Sequence, residues 1–264
     1  MNLKPALTII TVCFQAKEQL HKTMESILCQ TWVEMEYLVV DGGSDDGTKE
    51  LLLQSEERFK AADIPFHFLS EPDKGIYDAM NKGSRMANGK WLLFLNAGDL
   101  LAGKDTLKQV FADVSEDAQI LYGDALCTYQ GKTKLYQALP LDRLRCEMAF
   151  CHQSAFVLRE LAAALPYDTS YKVCADHHFF LSLYLQEKIF QYRPVTVCIY
   201  EIAGYSDKNK MAAHKEQRRM FKELHVFHPS FSWLRREAAF YLKQGIKILF
   251  GQRLVDLVRN RRLD

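Results

Sequence analysis

Residues Glu71 to Leu101 read E-P-D-K-G-I-Y-D-A-M-N-K-G-S-R-M-A-N-G-K-W-L-L-F-L-N-A-G-D-L-L. A turn leads into an amphipathic helix from Tyr77 to Ala87, with Ala79, Met80, Gly83, Met86 and Ala87 along one face. A second turn at Asn88-Gly89 precedes a wholly apolar strand, Trp91 to Leu95, which ends in Asn96-Ala97-Gly98-Asp99. A strand apolar at every position is one buried on both faces, the habit of parallel sheets. Ligands of open α/β sheets bind beyond the carboxyl ends of the strands, and Asp99 falls there. A carboxylate at that edge is a hard oxygen ligand for a divalent cation; it is equally a turn residue or a helix cap.

The chain before this stretch narrows the reading. Leu7 to Val12 is a continuous apolar and β-branched run, and Tyr37 to Val40 is a second. Between them Leu20, Thr23, Met24, Ile27 and Leu28 recur at helical spacing. The second strand runs straight into Asp41-Gly42-Gly43-Ser44-Asp45-Asp46-Gly47-Thr48, after which a helix is expected over Thr48 to Ala61 and a strand over Ile64 to Leu69. Strand, helix, strand and an acidic Gly-rich loop make a nucleotide-binding half. No G-x-G-x-x-G follows the first strand, so it is not a dinucleotide fold.

Beyond Leu101 the spacing predicts a helix over Asp105 to Val114 and a strand over Ala118 to Leu126. The regular alternation then stops: Thr128 to Arg145 reads as short strand-like pieces and turns. Phe150 to Val157 is a strand interrupted by His152 and Gln153. Asp176 stands where an extended piece becomes a helix, so it is a candidate for the cap of that helix and for a ligand-facing carboxylate. His177 and His178 follow it, but neighbours on a helix point about 100° apart and do not share one metal easily. A last strand, Tyr192 to Tyr200, leads to Gly204-Tyr205-Ser206.

At 264 residues, 48% hydrophobic and 25% charged, the chain has an ordinary globular composition. A net charge of +1 gives no signature of a nucleic-acid partner. Seven cysteines without a C-x-x-C pair read as reduced thiols of a cytoplasmic protein, and no apolar run approaches the ~20 residues of a membrane span. Charge is unevenly spread: residues 214–264 carry +7 and the remainder −6. Leu234, Ala238, Tyr241, Leu242, Gly245 and Leu249 share one helical face, opposite Arg236, Lys243 and Lys247. Such a helix lies on the anionic inner surface of a membrane, caps its own domain, or pairs with a second copy in a homodimer.

The blocks T-I-I-T-V-C-F, V-V-D-G-G-S-D-D-G-T, E-P-D-K-G-I-Y-D-A-M-N-K-G and F-L-N-A-G-D together resemble the family 2 glycosyltransferases of the GT-A fold. The nearest likeness is to bacterial enzymes of the colanic-acid and O-antigen type, and it covers residues 5 to 210. The resemblance implies an α/β, Rossmann-like, mostly parallel sheet with flanking helices over residues 1–210, followed by a basic amphipathic helical segment over 211–264. It implies an inverting, metal-dependent transferase acting in bacterial surface polysaccharide or lipopolysaccharide synthesis. Its donor is a UDP- or GDP-sugar, its acceptor a lipid-diphosphate-linked saccharide, and its cofactor Mn²⁺ or Mg²⁺. Asp176 becomes the catalytic base and Asp99 the metal ligand; Thr11, Phe14, Asp41, Asn81, Asn96, His152 and Lys208 become substrate contacts. The chain departs from the usual motif in having Asn96 and Gly98 where acidic residues stand, which leaves Asp99 alone to hold a cation. A non-catalytic nucleotide-sugar binding subunit is the rival reading; it would need Asp41 but not both Asp99 and Asp176.

Overall fold

The computed structural model describes residues 5–201 and 209–226, together with Ala238, Tyr241 and Leu242. Its first half is β1 (Leu7–Cys13), α1 (Lys17–Leu28), β2 (Met35–Asp41), α2 (Thr48–Ala61), β3 (Phe66–Ser70), α3 (Ile76–Met86) and β4 (Trp91–Phe94). There follow β5 (Leu100–Leu101), α4 (Thr106–Val110), β6 (Ile120–Tyr129), β7 (Lys132–Tyr136), β8 (Ala155–Leu158), α5 (Arg159–Ala164), α6 (Ala175–Leu185), β9 (Phe190–Glu201) and α7 (Lys210–Glu223). The strands form one sheet in the order β3-β2-β1-β4-β8-β6-β9-β5, with β7 paired to β6.

The sheet is parallel through β3-β2-β1-β4, and β6 pairs parallel with β9. Strand β8 runs antiparallel between β4 and β6. The apolar runs behave as their composition requires. Ile10, Val12, Leu38, Val40, Leu92 and Phe94 face one core with α3 and α6. Leu7, Ile9, Tyr37, Val39, Trp91 and Leu93 face the other, with α1 and α2. Successive side chains on a strand alternate between faces, so burying both sides demands this unbroken apolar pattern. Helix α3 lies so close on β1 that a Cβ on Gly83 would stand 2.6 Å from Ile10 Cγ2.

Two expected elements differ. The helix expected over Asp105 to Val114 is Thr106–Val110 only, because the Gln109 carbonyl, which would accept from Asp113 N in a longer helix, accepts instead from Arg193 Nη2 of β9 at 3.2 Å. The strand expected from Phe150 starts at Ala155. His152–Ser154 instead make a 3₁₀ turn, which Ser154 Oγ anchors by donating to the Gly123 carbonyl at 2.8 Å. Helix α7 seats Met220, wholly buried, in the core shared with Phe179 and Phe180. Of the expected basic amphipathic helix near the C-terminus only Ala238, Tyr241 and Leu242 are described, and the remainder of that segment lies outside the described residues. Among the described residues no helix is long and apolar enough to cross a membrane, and all seven cysteines are free.

Candidate active site

A cleft of about 390 Å³ opens where β1 ends and α3 begins. Its walls include Phe14, the Asp73-to-Tyr77 turn and the loop carrying Tyr171 and Lys172. Phe14 is 62% exposed, a large aromatic ring left uncovered at the mouth of a cleft. Gly75 starts α3 with φ +117, a conformation open to glycine and strained for other residues. Gly42 also serves a close approach, since a Cβ there would lie 2.6 Å from Asp73 Oδ2 and 3.2 Å from Phe14 Cδ2.

Beside the cleft, residues far apart in sequence converge. His152 Nδ1 stands 3.2 Å from Asp176 Oδ2, and His152 Nε2 stands 3.3 Å from Asn96 Nδ2. Asp176 Oδ1 accepts from the His177 backbone N–H at 2.9 Å and from the Tyr77 hydroxyl at 3.2 Å. That hydroxyl also points at the Val173 carbonyl, 2.8 Å away. Burial pushes the Asp176 carboxyl up, but the hydrogen bond and charge of His152 and the His177 N–H outweigh it, so it titrates below the ordinary carboxylate range. Burial likewise opposes a charged His152, yet the bond to Asp176 and its charge, aided by Cys151 and Asp99, carry the imidazole above its ordinary value. With its Nδ1–H directed at Asp176, His152 keeps Nε2 to accept from Asn96 Nδ2, and the carboxylate is the ionised partner.

Asp99 closes the same site. Gly98, at φ +100, lets the chain turn after β4. Thr23 of α1 pins the turn by accepting from Gly98 N and donating to the Asp99 carbonyl, both at 2.9 Å. Gln153, next to His152, donates to Asp99 Oδ2 at 2.9 Å. Asp99 is 9% exposed, and burial lifts its carboxyl to about 6 against the pull of the Gln153 hydrogen bond and of His152.

Chain and family now meet. Residues 8–240 match the Glycosyl transferase family 2 description. The chain belongs to glycosyl transferase family 2. A "PGL/p-HBAD biosynthesis glycosyltransferase" of Mycobacterium bovis (strain BCG / Pasteur 1173P2) is 33% identical over 210 residues, 77% of this chain and 80% of that one. An "Uncharacterized glycosyltransferase YibD" of Escherichia coli (strain K12) is 25% identical over 55% of this chain and 41% of its own length. Among solved structures, the mannosyltransferase PcManGT from Pyrobaculum calidifontis in complex with GDP-Man and Mn²⁺ superposes with a TM-score of 0.65 at 18% identity, covering 87% of this chain and 66% of that one. S. aureus TarS 1-349 in complex with UDP gives a TM-score of 0.60 at 18% identity, covering 77% of this chain and 62% of that one. These likenesses establish the fold, a GT-A-like curled α/β sheet with flanking helices.

Within this family 2 member several residues expected at the substrate do other work. Thr11 is wholly buried and its hydroxyl donates to the Leu95 carbonyl at 2.7 Å, so it ties β1 to the end of β4 and offers a ligand no surface. Asn81 spends its amide on the backbone of Tyr167, donating to the carbonyl at 2.8 Å and accepting from the N–H at 2.9 Å; it is a clamp between α3 and the chain before α6. Asp41 is also wholly buried. Its oxygens accept from Ser44 N and Oγ and from Ser70 Oγ, which shapes the Gly-rich loop and faces the carboxylate inward. Asp176 is not the cap of α6, a position held by Cys174, but the second residue of the helix. His177 turns to the Leu144 carbonyl at 2.7 Å and His178 stacks on Tyr171, so neither serves a metal with Asp176. Lys208 lies outside the described residues. Tyr77 and Gln153 were missed as site residues: Tyr77 sits in a quoted block and Gln153 beside His152, but nothing in the one-dimensional pattern told which way either faced.

No group of three or more His, Cys, Asp or Glu side chains fit to hold a metal occurs among the described residues. The oxygen donors on the turn after β4 are the Asp99 carboxylate and Asn96 Oδ1, a buried acceptor with no hydrogen-bond partner among the described residues. One carboxylate and one orphaned amide oxygen on a single turn suit a hard cation whose remaining ligands come from water and a diphosphate.

Proposed function

We propose that this chain is an inverting glycosyltransferase that moves a sugar from a UDP- or GDP-sugar to a saccharide hydroxyl. The observation that carries this reading is the ionised Asp176 held by His152 and Tyr77 beside a cleft with an exposed aromatic ring at its mouth. A nucleoside base stacks on Phe14, while Asp176 takes the proton of the acceptor hydroxyl. The acceptor oxygen bonds to the anomeric carbon as the bond to the diphosphate breaks, with inversion. His152 and Tyr77 hold the carboxylate in place for that transfer. A divalent cation, Mn²⁺ or Mg²⁺, held by Asp99 and Asn96 Oδ1, would neutralise charge on the departing diphosphate.

The PcManGT complex with GDP-Man and Mn²⁺ and the TarS complex with UDP support a nucleotide-sugar donor and a cation. The PGL/p-HBAD biosynthesis relative supports a role in glycan synthesis. For this chain the acceptor is a lipid-diphosphate-linked saccharide of a bacterial surface polysaccharide, reached from the cytoplasmic face of the membrane. The test is a screen of UDP- and GDP-sugars for hydrolysis with Mn²⁺ or Mg²⁺ in the absence of acceptor, run on wild type and Asp176→Asn. Loss of a general base costs ~10²–10⁴ in rate, so the variant should bind donor nearly as wild type and turn it over in that measure more slowly. Full turnover by the variant would remove Asp176 as base, and no turnover of any donor by wild type would favour the non-catalytic binding subunit.

A further inference from the structure

Helix α7 reaches the backbone just before α6 through Glu216. Its Oε1 accepts from Lys172 N at 2.7 Å, and its Oε2 accepts from Val173 N at 2.9 Å and from Cys174 N at 3.0 Å. Those backbone groups are the approach to α6, whose second residue is Asp176, and Val173 is also the residue whose carbonyl faces Tyr77. A carboxylate accepting from successive N–H groups at the positive end of a helix is charge-assisted and strong. The rest of α7 docks around it. Cys174 Sγ meets the Ala213 carbonyl at 3.4 Å, and Gln217 Nε2 donates to the Cys146 carbonyl at 3.2 Å. The Arg219 guanidinium lies 3.8 Å over the Tyr171 ring and donates to Ser170 Oγ at 2.7 Å, while Tyr171 itself bonds to Glu223.

We infer that Glu216 is a positioning residue for the transfer proposed above: it fixes the backbone of residues 172–174 so that Asp176 meets His152 and Tyr77 beside the cleft. The inference rests on that reading for its kinetic consequence but not for its structural one. Glu216 acts through main-chain N–H groups, which no other side chain satisfies at Val173 or Cys174 among the described residues. When the carboxylate is removed, these groups return to water and the turn before α6 is free to drift. A displacement of about 1 Å of a reacting group costs on the order of 10²-fold in rate. Helix α7 is thereby part of the catalytic apparatus, acting on the approach to α6 through the Glu216 carboxylate.

The experiment compares wild type, Glu216→Ala and Glu216→Gln in the full chain. It uses hydrolysis of whichever UDP- or GDP-sugar wild type accepts, and amide hydrogen exchange at 172–174. Glu216→Ala is expected to lower kcat about 10- to 100-fold, with the donor KM within about threefold of wild type and faster exchange at those amides. Glu216→Gln, which keeps an oxygen for Val173 and Cys174, is expected to recover most of the kcat and the protection. A kcat equal to wild type in both variants overturns the inference, as does loss in the glutamine variant matching that in alanine. If Glu216→Ala does not fold, the glutamine variant alone decides, by whether a partial loss of protection at 172–174 is matched by a partial loss of kcat. If wild type turns over no sugar nucleotide, the proposed function fails; unchanged exchange in the variants fails the clamp by itself.

Discussion

Replacing Asp99 by Asn removes a charge from a side chain that is 9% exposed and leaves an oxygen to accept from Gln153. Burial raises the carboxyl from 3.8 to about 6 in the fold. A unit of pKa is worth about 1.4 kcal/mol, so the ionised form costs the metal-free protein roughly 3 kcal/mol. That cost is absent below the unfolded value of 3.8, builds as the pH rises through about 6, and is constant above. Asp99→Asn should therefore be more stable than wild type at pH 8, by up to roughly 3 kcal/mol, and nearly equal to it at pH 4. For a chain of this size the gain corresponds to a Tm higher by about 5–10 °C. Thermal unfolding in EDTA at both pH values measures it. A ligand that binds only the native state stabilises as its concentration exceeds Kd. With Mn²⁺ and UDP or GDP present the ranking should therefore reverse, because only wild type offers the carboxylate. A variant no more stable than wild type at pH 8, or a gap that persists at pH 4, would refute the argument that Asp99 is kept charged at the expense of the fold.

Phe14→Ala should weaken UDP or GDP binding by calorimetry roughly tenfold, the scale of one base stacked on one ring, with Tm unchanged because the ring is 62% exposed. Unaltered affinity would place the base elsewhere. Asn81→Ala leaves the Tyr167 N–H and carbonyl without their partner; it should cost about 1–3 kcal/mol in denaturant unfolding while sparing nucleotide affinity, and the opposite pattern would restore Asn81 as a ligand contact. Truncation of residues 233–264 should release the protein from anionic vesicles in flotation, and raised salt should imitate it, since attraction between exposed charges is screened beyond ~10 Å at 0.1 M. Salt-insensitive behaviour with a halved mass on truncation would instead make that segment a dimer contact.

Much of this molecule was written locally. The apolar runs at Leu7, Tyr37 and Trp91 determine parallel strands buried on both faces, because a pattern without polar positions cannot leave a face to water. Their order with the intervening helices puts Asp41, Asn96 and Asp99 at one sheet edge. Asp176 was legible as a carboxylate at a helix start. What the sequence did not contain is which partner each polar group chose. Thr11, Asn81 and Asp41 are residues that bind ligands as readily as they bind backbone, and only the packed chain shows their bonds spent inside the protein. The pairing of His152 with Asp176, the Gln153 link to Asp99 and the Glu216 clamp join residues 24 to 54 positions apart. Such pairs have no period for a pattern to reveal. They exist because β8 enters antiparallel between β4 and β6, and because α7 folds back over the start of α6. Local propensity determines what an element is, whereas tertiary packing decides which side chains, remote along the chain, become neighbours in a site of low water content where their charges are felt.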